Sequence, residues 1–491
     1  MRNRARLTGL AGPQILILAA LSLRLISLTR NGLWVDEASS VAVSALTVPD
    51  IVAASKVDPH PPGYYLLLHG WTALLGRSEY AVRLLSVFAG VLSVAGTYLL
   101  AKVMFRERTA RLAAWCVCLS PALIEYAQET RMYALLVLCS VILTWAAVRT
   151  VTRYANGITR FSRSAHLTYA LVGVIGLYTQ YYFMFVILAV NLWAFVKLSR
   201  AERWRDIGYW SLLQAATILP FGVWVPILLH QSQAFVFTWI GQPNATSVLN
   251  ALSYLTLGQG NPSLGLVLGL ALTGVVLSGL TVARLARDMQ AVDAVLLVIW
   301  AIFPMAFSYF LSQSHPVFID RQFLLSIPAI VLLMVGGLTD RRAVTIGALV
   351  FTIGVLPGLN RLYFENRKQE WRELVSYIQT HSEPTDLVYV NPAGGRVAVD
   401  YYLERSMAVD GYPPQFSLLL GGFHGERTTA DNVNRLLTQL AGKHHRVWLI
   451  QFVASYWDPE QHLTRWLEGH MTLEETPTFR GLDVRLYEAR P

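Results

Sequence analysis

Two carboxylates stand side by side in Trp34-Val35-Asp36-Glu37, just past the first long apolar run of the chain. Such a pair can take a proton, hold a cation or brace a loop. Charge near hydrocarbon is costly, so acids at the end of a membrane-crossing run point to function first. Two acids alone are also what a solvated loop end carries. Their company shifts the balance. Asp58-Pro59-His60-Pro61-Pro62-Gly63 follows in the same loop. Later gaps between apolar runs hold Glu125, Gln128, Glu129 and Arg131, then His230, Gln231 and Gln233, then His315, Asp320 and Arg321.

The elements that carry these residues are apolar. The 491 residues are 54% hydrophobic and only 14% charged, with a mean hydropathy of +0.42. Soluble domains carry about 25% charged residues. The net charge of +9 is spread over short gaps between apolar runs, as topology signals are. No nucleic-acid motif accompanies it. Cys116, Cys118 and Cys139 lie in apolar segments and read as small buried hydrophobes. Their spacing fits neither a redox CxxC motif nor a zinc cluster.

A bilayer takes roughly 20 apolar residues to cross. Runs near 8–28, 80–104, 110–124, 132–150, 167–180, 182–198, 207–229, 263–283, 291–311, 322–339 and 343–362 predict about eleven spans. The first lacks a small-x-small cleavage pattern and reads as an uncleaved span. Basic residues alternate along the loops. Arg2, Arg4 and Arg6 start one side, followed by Arg106/Arg108/Arg111, Arg153/Arg160/Arg163, Lys197/Arg200/Arg203/Arg205, Arg284/Arg287 and Arg341/Arg342. The opposite loops hold little beyond Lys56, Arg77, Arg131 and Arg321. The positive-inside rule then predicts a cytoplasmic N-terminus and places every polar cluster above on the outer face. Within the first outer loop, about 30–79, the segments 51–54 and 64–71 read as short interfacial helices around a proline turn.

Composition changes near 363. The stretch 386–390 and Arg446-Val447-Trp448-Leu449-Ile450 read as buried strands. Helix-like stretches fall near 370–380, 431–440 and 461–468. Alternation of this kind predicts a small α/β domain. Gly394-Gly395 fits neither phosphate-binding loop pattern, so no nucleotide site is expected. The expected organisation is a polytopic α-helical membrane domain, 1–362, and a C-terminal extracytoplasmic α/β domain, 363–491.

Trp34-Val35-Asp36-Glu37-Ala38 and Asp58-Pro59-His60-Pro61-Pro62-Gly63-Tyr64-Tyr65 resemble the first-loop motifs of bacterial GT-C glycosyltransferases, near the protein O-mannosyltransferases and the aminoarabinose lipid A transferase. Ser120-Pro121 with the stretch Tyr126-Ala127-Gln128-Glu129-Thr130-Arg131-Met132-Tyr133 is similar to the family's segment after its third span. Arg321-Gln322-Phe323-Leu324-Leu325 resembles a late-span motif in which the family has a tyrosine. Glu370-Trp371-Arg372 resembles an acidic-Trp-Arg motif that usually starts with aspartate.

The resemblance implies a GT-C fold. It also implies inverting transfer of a sugar from a polyprenyl phosphate carrier to a lipid, glycan or protein acceptor at the outer membrane face. A bacterial inner membrane is the implied setting. Such displacement needs a base for the acceptor hydroxyl, and a carboxylate suffices. Asp36 is the expected base. Glu37, adjacent and so pointing elsewhere, is a second catalytic candidate that orients a loop or helps hold a metal. Arg131 and Arg321 are candidates for the carrier phosphate, with salt-bridge or anchoring roles as the alternative. His60 is a third phosphate candidate beside a loop-structural role. Gln128, Glu129, Tyr64 and Tyr133 are candidates for binding substrate. A divalent metal is compatible with the family but no ligand set stands out. The competing reading is a transporter or flippase for a lipid-linked sugar, which would favour polar groups at mid-membrane and paired repeats. Neither is visible here.

Overall fold

A computed structural model describes residues 12–158, 163–234, 240–258, 274, 276–285, 291–404, 407–412, 418, 428–441 and 443–490. The chain is mostly helical. The helices begin with α1 (Pro13–Leu25), α2 (Val35–Ser44), α3 (Val48–Lys56), α4 (Gly63–Leu75), α5 (Glu79–Met104), α6 (Glu107–Leu119) and α7 (Pro121–Ala127). They continue with α8 (Tyr133–Ala155), α9 (Arg163–Thr179), α10 (Phe183–Arg200), α11 (Trp204–Ile218), α12 (Val225–Ala234), α13 (Ala245–Leu257) and α14 (Val276–Leu285). Three more, α15 (Ala291–Leu311), α16 (Ile327–Val335) and α17 (Arg341–Phe364), precede the C-terminal segment.

Six described helical segments are long and apolar enough to cross a membrane: Glu79–Met104, Tyr133–Ala155, Phe183–Arg200, Trp204–Gln233 (α11 and α12 joined by the 3-10 turn Leu219–Trp224), Val292–Leu311 and Arg341–Phe364. The protein is an integral membrane protein. The other expected spans differ for identifiable reasons. The run 110–124 is broken at Ser120-Pro121 into α6 and α7, because proline removes the amide that would continue the ladder. The run 322–339 begins in a 3-10 turn, Asp320–Ser326, and leaves α16 only 9 residues long. α9 has 17 residues and α1 has 13. Residues 8–11 of the first run, most of 263–283, and Arg2, Arg4, Arg6, Arg160 and Arg287 lie outside the described residues.

The chain forms two compact units. One comprises residues 1–28, 60–64 and 83–365; the other comprises 29–59, 65–82 and 366–491.

In the first unit, α8 packs on α9 and α10, and α10 on α15. Arg24 of α1 is fully buried and clamps the α6–α7 break. Its guanidinium donates to the carbonyls of Cys118 at 3.4 Å and Val117 at 3.5 Å. Val117 lies four residues before Pro121, so its carbonyl has lost its helical donor. In return, the Gln128 carboxamide donates to the carbonyls of Arg24 at 3.1 Å and Ile26 at 2.8 Å, at the end of α1.

In the second unit, a six-stranded sheet has the order β2-β1-β3-β6-β4, with β5 paired to β6. Its strands are β1 (Leu387–Asn391), β2 (Ala408–Gly411), β3 (Arg446–Gln451), β4 (Met471–Glu475), β5 (Thr478–Phe479) and β6 (Leu482–Ala489). β1 runs parallel to β2 and β3, while β6 runs antiparallel to β3, β4 and β5. β1 is buried along its whole length, as parallel strands covered on both faces are. The accompanying helices are α18 (Trp371–His381), α19 (Arg396–Tyr402), α20 (Ala430–Ala441), α21 (Ala454–Trp457) and α22 (His462–His470). Val433 and Leu437 of α20 and Leu463 and Leu467 of α22 join Leu387, Tyr389, Val447 and Leu449 in one core. The acid-bearing helix α2 packs against α19 of this same unit.

Candidate active site

In the second unit, Asp36 and Glu37 occupy the first turn of α2, after an extended Trp34. Acids are favoured there by the partial positive charge of the helix N-terminus. Neighbouring helical residues project about 100° apart, and the two acids differ accordingly. Asp36 is half-buried, whereas Glu37 is fully buried. Glu37 Oε2 lies 2.9 Å from Lys368 Nζ, itself 17% exposed. Lys368 carries no motif signal and lies 331 residues away, so sequence reasoning missed it.

The loop that holds α2 is tied at both ends. Arg372 donates to the carbonyls of Thr29 at 3.1 Å and Arg30 at 3.0 Å, and to Glu79 at 3.0 Å. The Tyr402 hydroxyl donates to Glu79 at 2.6 Å and accepts from the Leu33 amide at 2.5 Å. Burial, with Glu79 adding to it, pushes the Tyr402 hydroxyl well above its ordinary range, so it stays a donor. Arg372 is thus a loop tether. Its motif neighbour Trp371 is buried, and Glu370 accepts from the Arg480 amide. Further along the loop, Tyr65 is buried and its hydroxyl reaches Asp58 at 3.4 Å.

In the first unit, His60 is half-buried and Tyr64 fully buried. Gly63 between them is required by close approach: a Cβ there would stand 2.5 Å from the Tyr178 carbonyl oxygen. This explains the glycine of the Pro-Pro-Gly-Tyr-Tyr run.

The same unit gathers the second set of candidates. Glu129, Arg131 and Tyr133 are all 5% exposed or less. A tight turn links the first two, with the Arg131 amide donating to the Glu129 carbonyl at 2.8 Å. Tyr126 meets Tyr133 edge-on at 5.0 Å, and the Arg321 guanidinium lies 6.0 Å from the Tyr133 ring centre. Burial pushes the Tyr126 hydroxyl well up. Glu129 and Glu125 add to the shift and Arg321 opposes it, so all three act on one point. Tyr254 of α13, absent from the sequence candidates, donates to Glu125 at 2.8 Å. Arg321 is the second residue of the 3-10 turn Asp320–Ser326, whose Phe323 is buried against Phe318 and Tyr182. Asp320 beside it is half-buried, and burial raises its carboxyl while Arg321 lowers it. Gln128 is committed through its amide to α1. Two other polar residues take plainer places: His230 and His315 are exposed. Gln231 is buried and accepts from Tyr181 at 2.5 Å.

Among the described residues, no three His, Cys, Asp or Glu side chains gather to hold a metal ion. Each unit offers one chemistry. A half-buried carboxylate can accept a proton, and arginines among buried aromatic and acidic groups can hold an anion.

Residues 59–225 match the family described as dolichyl-phosphate-mannose-protein mannosyltransferase. No curated protein matches the chain in sequence. In fold, the chain is similar to ArnT from Cupriavidus metallidurans in the apo state. The TM-score is 0.63 at 14% identity, over 96% of this chain and 97% of that one. The same enzyme bound to undecaprenyl phosphate matches with a TM-score of 0.60 at 13% identity and the same coverage. The Archaeoglobus fulgidus oligosaccharyltransferase, in complex with zinc and sulfate, matches with a TM-score of 0.52 at 11% identity. That match covers 97% of this chain and 73% of that one. The chain therefore resembles GT-C glycosyltransferases, in sequence over 59–225 and in fold over nearly its whole length.

Proposed function

We propose that the protein transfers a sugar from a polyprenyl phosphate carrier to a lipid, glycan or protein acceptor at the outer face of the membrane, with inversion at the anomeric carbon. The observation that carries this reading is the match of residues 59–225 to a family described by a lipid-phosphate sugar donor. The fold shared with an ArnT structure that holds undecaprenyl phosphate supports it.

In this reading Asp36 takes the proton of the acceptor hydroxyl as that oxygen attacks the anomeric carbon. The bond from that carbon to the carrier phosphate breaks on the opposite side, and the phosphate leaves with the electron pair. Arg131 and Arg321 neutralise the charge that develops there, with His60 as a further contact. Glu129, Tyr64 and Tyr133 bind sugar or lipid, and Gln128 offers only the carboxamide oxygen that its two bonds to α1 leave over. The proposed topology is about eleven spans, a cytoplasmic N-terminus, and residues 363–491 outside, in a bacterial inner membrane.

The test is transfer by purified protein from polyprenyl phosphate sugars to a panel of acceptors. Sugar appearing on an acceptor supports the reading. Carrier that is bound and moved across a vesicle membrane with its sugar intact supports a flippase instead.

A further inference from the structure

We infer that Lys368 is a positioning residue for the Asp36-Glu37 pair, so that the C-terminal segment takes part in the chemistry. The inference rests on the reading of Asp36 as the base.

Three ties join the segment after 366 to the acid-bearing loop within one compact unit. Arg372 holds the entry at Thr29 and Arg30, and Arg372 with Tyr402 holds Glu79 at the exit. Gly32 shows how closely the entry is held: a Cβ there would lie 3.0 Å from both Arg372 Cβ and the Tyr402 hydroxyl. These two ties fix the ends of the loop. Lys368 alone of the three touches the acid pair, through the 2.9 Å contact to fully buried Glu37.

A buried carboxylate needs a paired cation, and removing one partner strands the other. Pairing also fixes direction. Glu37 follows Asp36 in the first turn of α2, so an anchor on Glu37 sets how α2 is rotated about its own axis. The rotation aims Asp36. The packing of α2 on α19 supplies the floor; the buried residues of α2 include small ones such as Ala38 and Ser39, which specify rotation less tightly than a charged anchor does. Lys368 supplies the stop. Its ammonium is engaged by Glu37.

The test compares wild type with Lys368→Met, Lys368→Arg and the double variant Lys368→Met/Glu37→Gln. Each is measured for kcat, donor KM and thermal midpoint in detergent. Misplacing a reacting group by an ångström costs on the order of 10²-fold, and Lys368→Met should lose that much in kcat. Donor KM should stay within about threefold, since the anchor does not bind donor. Lys368→Arg should restore most of the rate. The double variant removes both charges of this pair together, so it should fold even where Lys368→Met does not. Its rate should match that of a single variant, because the two residues act as a unit.

A Lys368→Met protein with wild-type kcat overturns the inference. So does a double variant whose loss is the product of two separate losses, or a Lys368→Arg protein no faster than Lys368→Met. A wild-type protein that transfers no sugar overturns the proposed function itself.

Discussion

At the residue scale, the two adjacent acids differ in burial. Glu37 is sealed in an ion pair, while Asp36 keeps a face toward solvent. A half-exposed carboxylate can meet a substrate proton, and one paired with a lysine can hold its helix in place. The arginines divide similarly. Arg24 spends its donors on carbonyls left over at a proline break, and Arg372 spends its donors on a loop. Arg321 lies instead beside the buried Tyr133 ring, and Arg131 is buried in the turn that follows Glu129, both on the proposed outer side. Replacing either with alanine should weaken use of the lipid phosphate donor by on the order of 2–5 kcal/mol. Detergent stability should be kept. Donor titration with both variants checks this, and normal donor affinity in both contradicts it.

At the element scale, the proline break between α6 and α7 is held by reciprocal bonds with α1. Arg24→Met would leave the Val117 and Cys118 carbonyls short of donors and should cost about 1–3 kcal/mol. The thermal midpoint of the purified variant checks this; an unchanged midpoint contradicts it. Gly63→Ala is expected to lower the midpoint too, because its methyl meets the Tyr178 backbone, which cannot swing aside.

The same elements show what a sequence can and cannot disclose. The helices of α5, α8 and α10 were legible because a hydrocarbon-crossing run has one composition throughout. β1 and β3 were legible as short buried runs. β2, β4 and β6 were not, since part-exposed strands of mixed polarity resemble loops. Arg24 carried a readable signal, an arginine inside an apolar run, but its purpose lay in carbonyls 93 and 94 residues away. Lys368 carried none. Long-range ion pairs have no local pattern, and nothing in the spacing of charges links position 37 to position 368. Gln128 was legible as polar and near the motif, but not as a cap on α1.

At the scale of the whole molecule, one compact unit unites the acid-bearing loop, 29–59, with the sheet that follows 366. A domain reading based on apolar composition separates these segments; burial and hydrogen bonding group them. The proposed topology puts both outside, so a protease or a tag reporter should reach residues 363–491 from the outer face only. Cytoplasmic access would move the chemistry to the other side. The central claim is sugar transfer with Asp36 as base, and one assay tests it most directly: transfer from a polyprenyl phosphate sugar by wild type and Asp36→Asn, each shown to be folded. Asparagine keeps the shape and removes the basicity, so the rate should fall by about 10²–10⁴-fold. Transfer by Asp36→Asn at the wild-type rate would contradict the account.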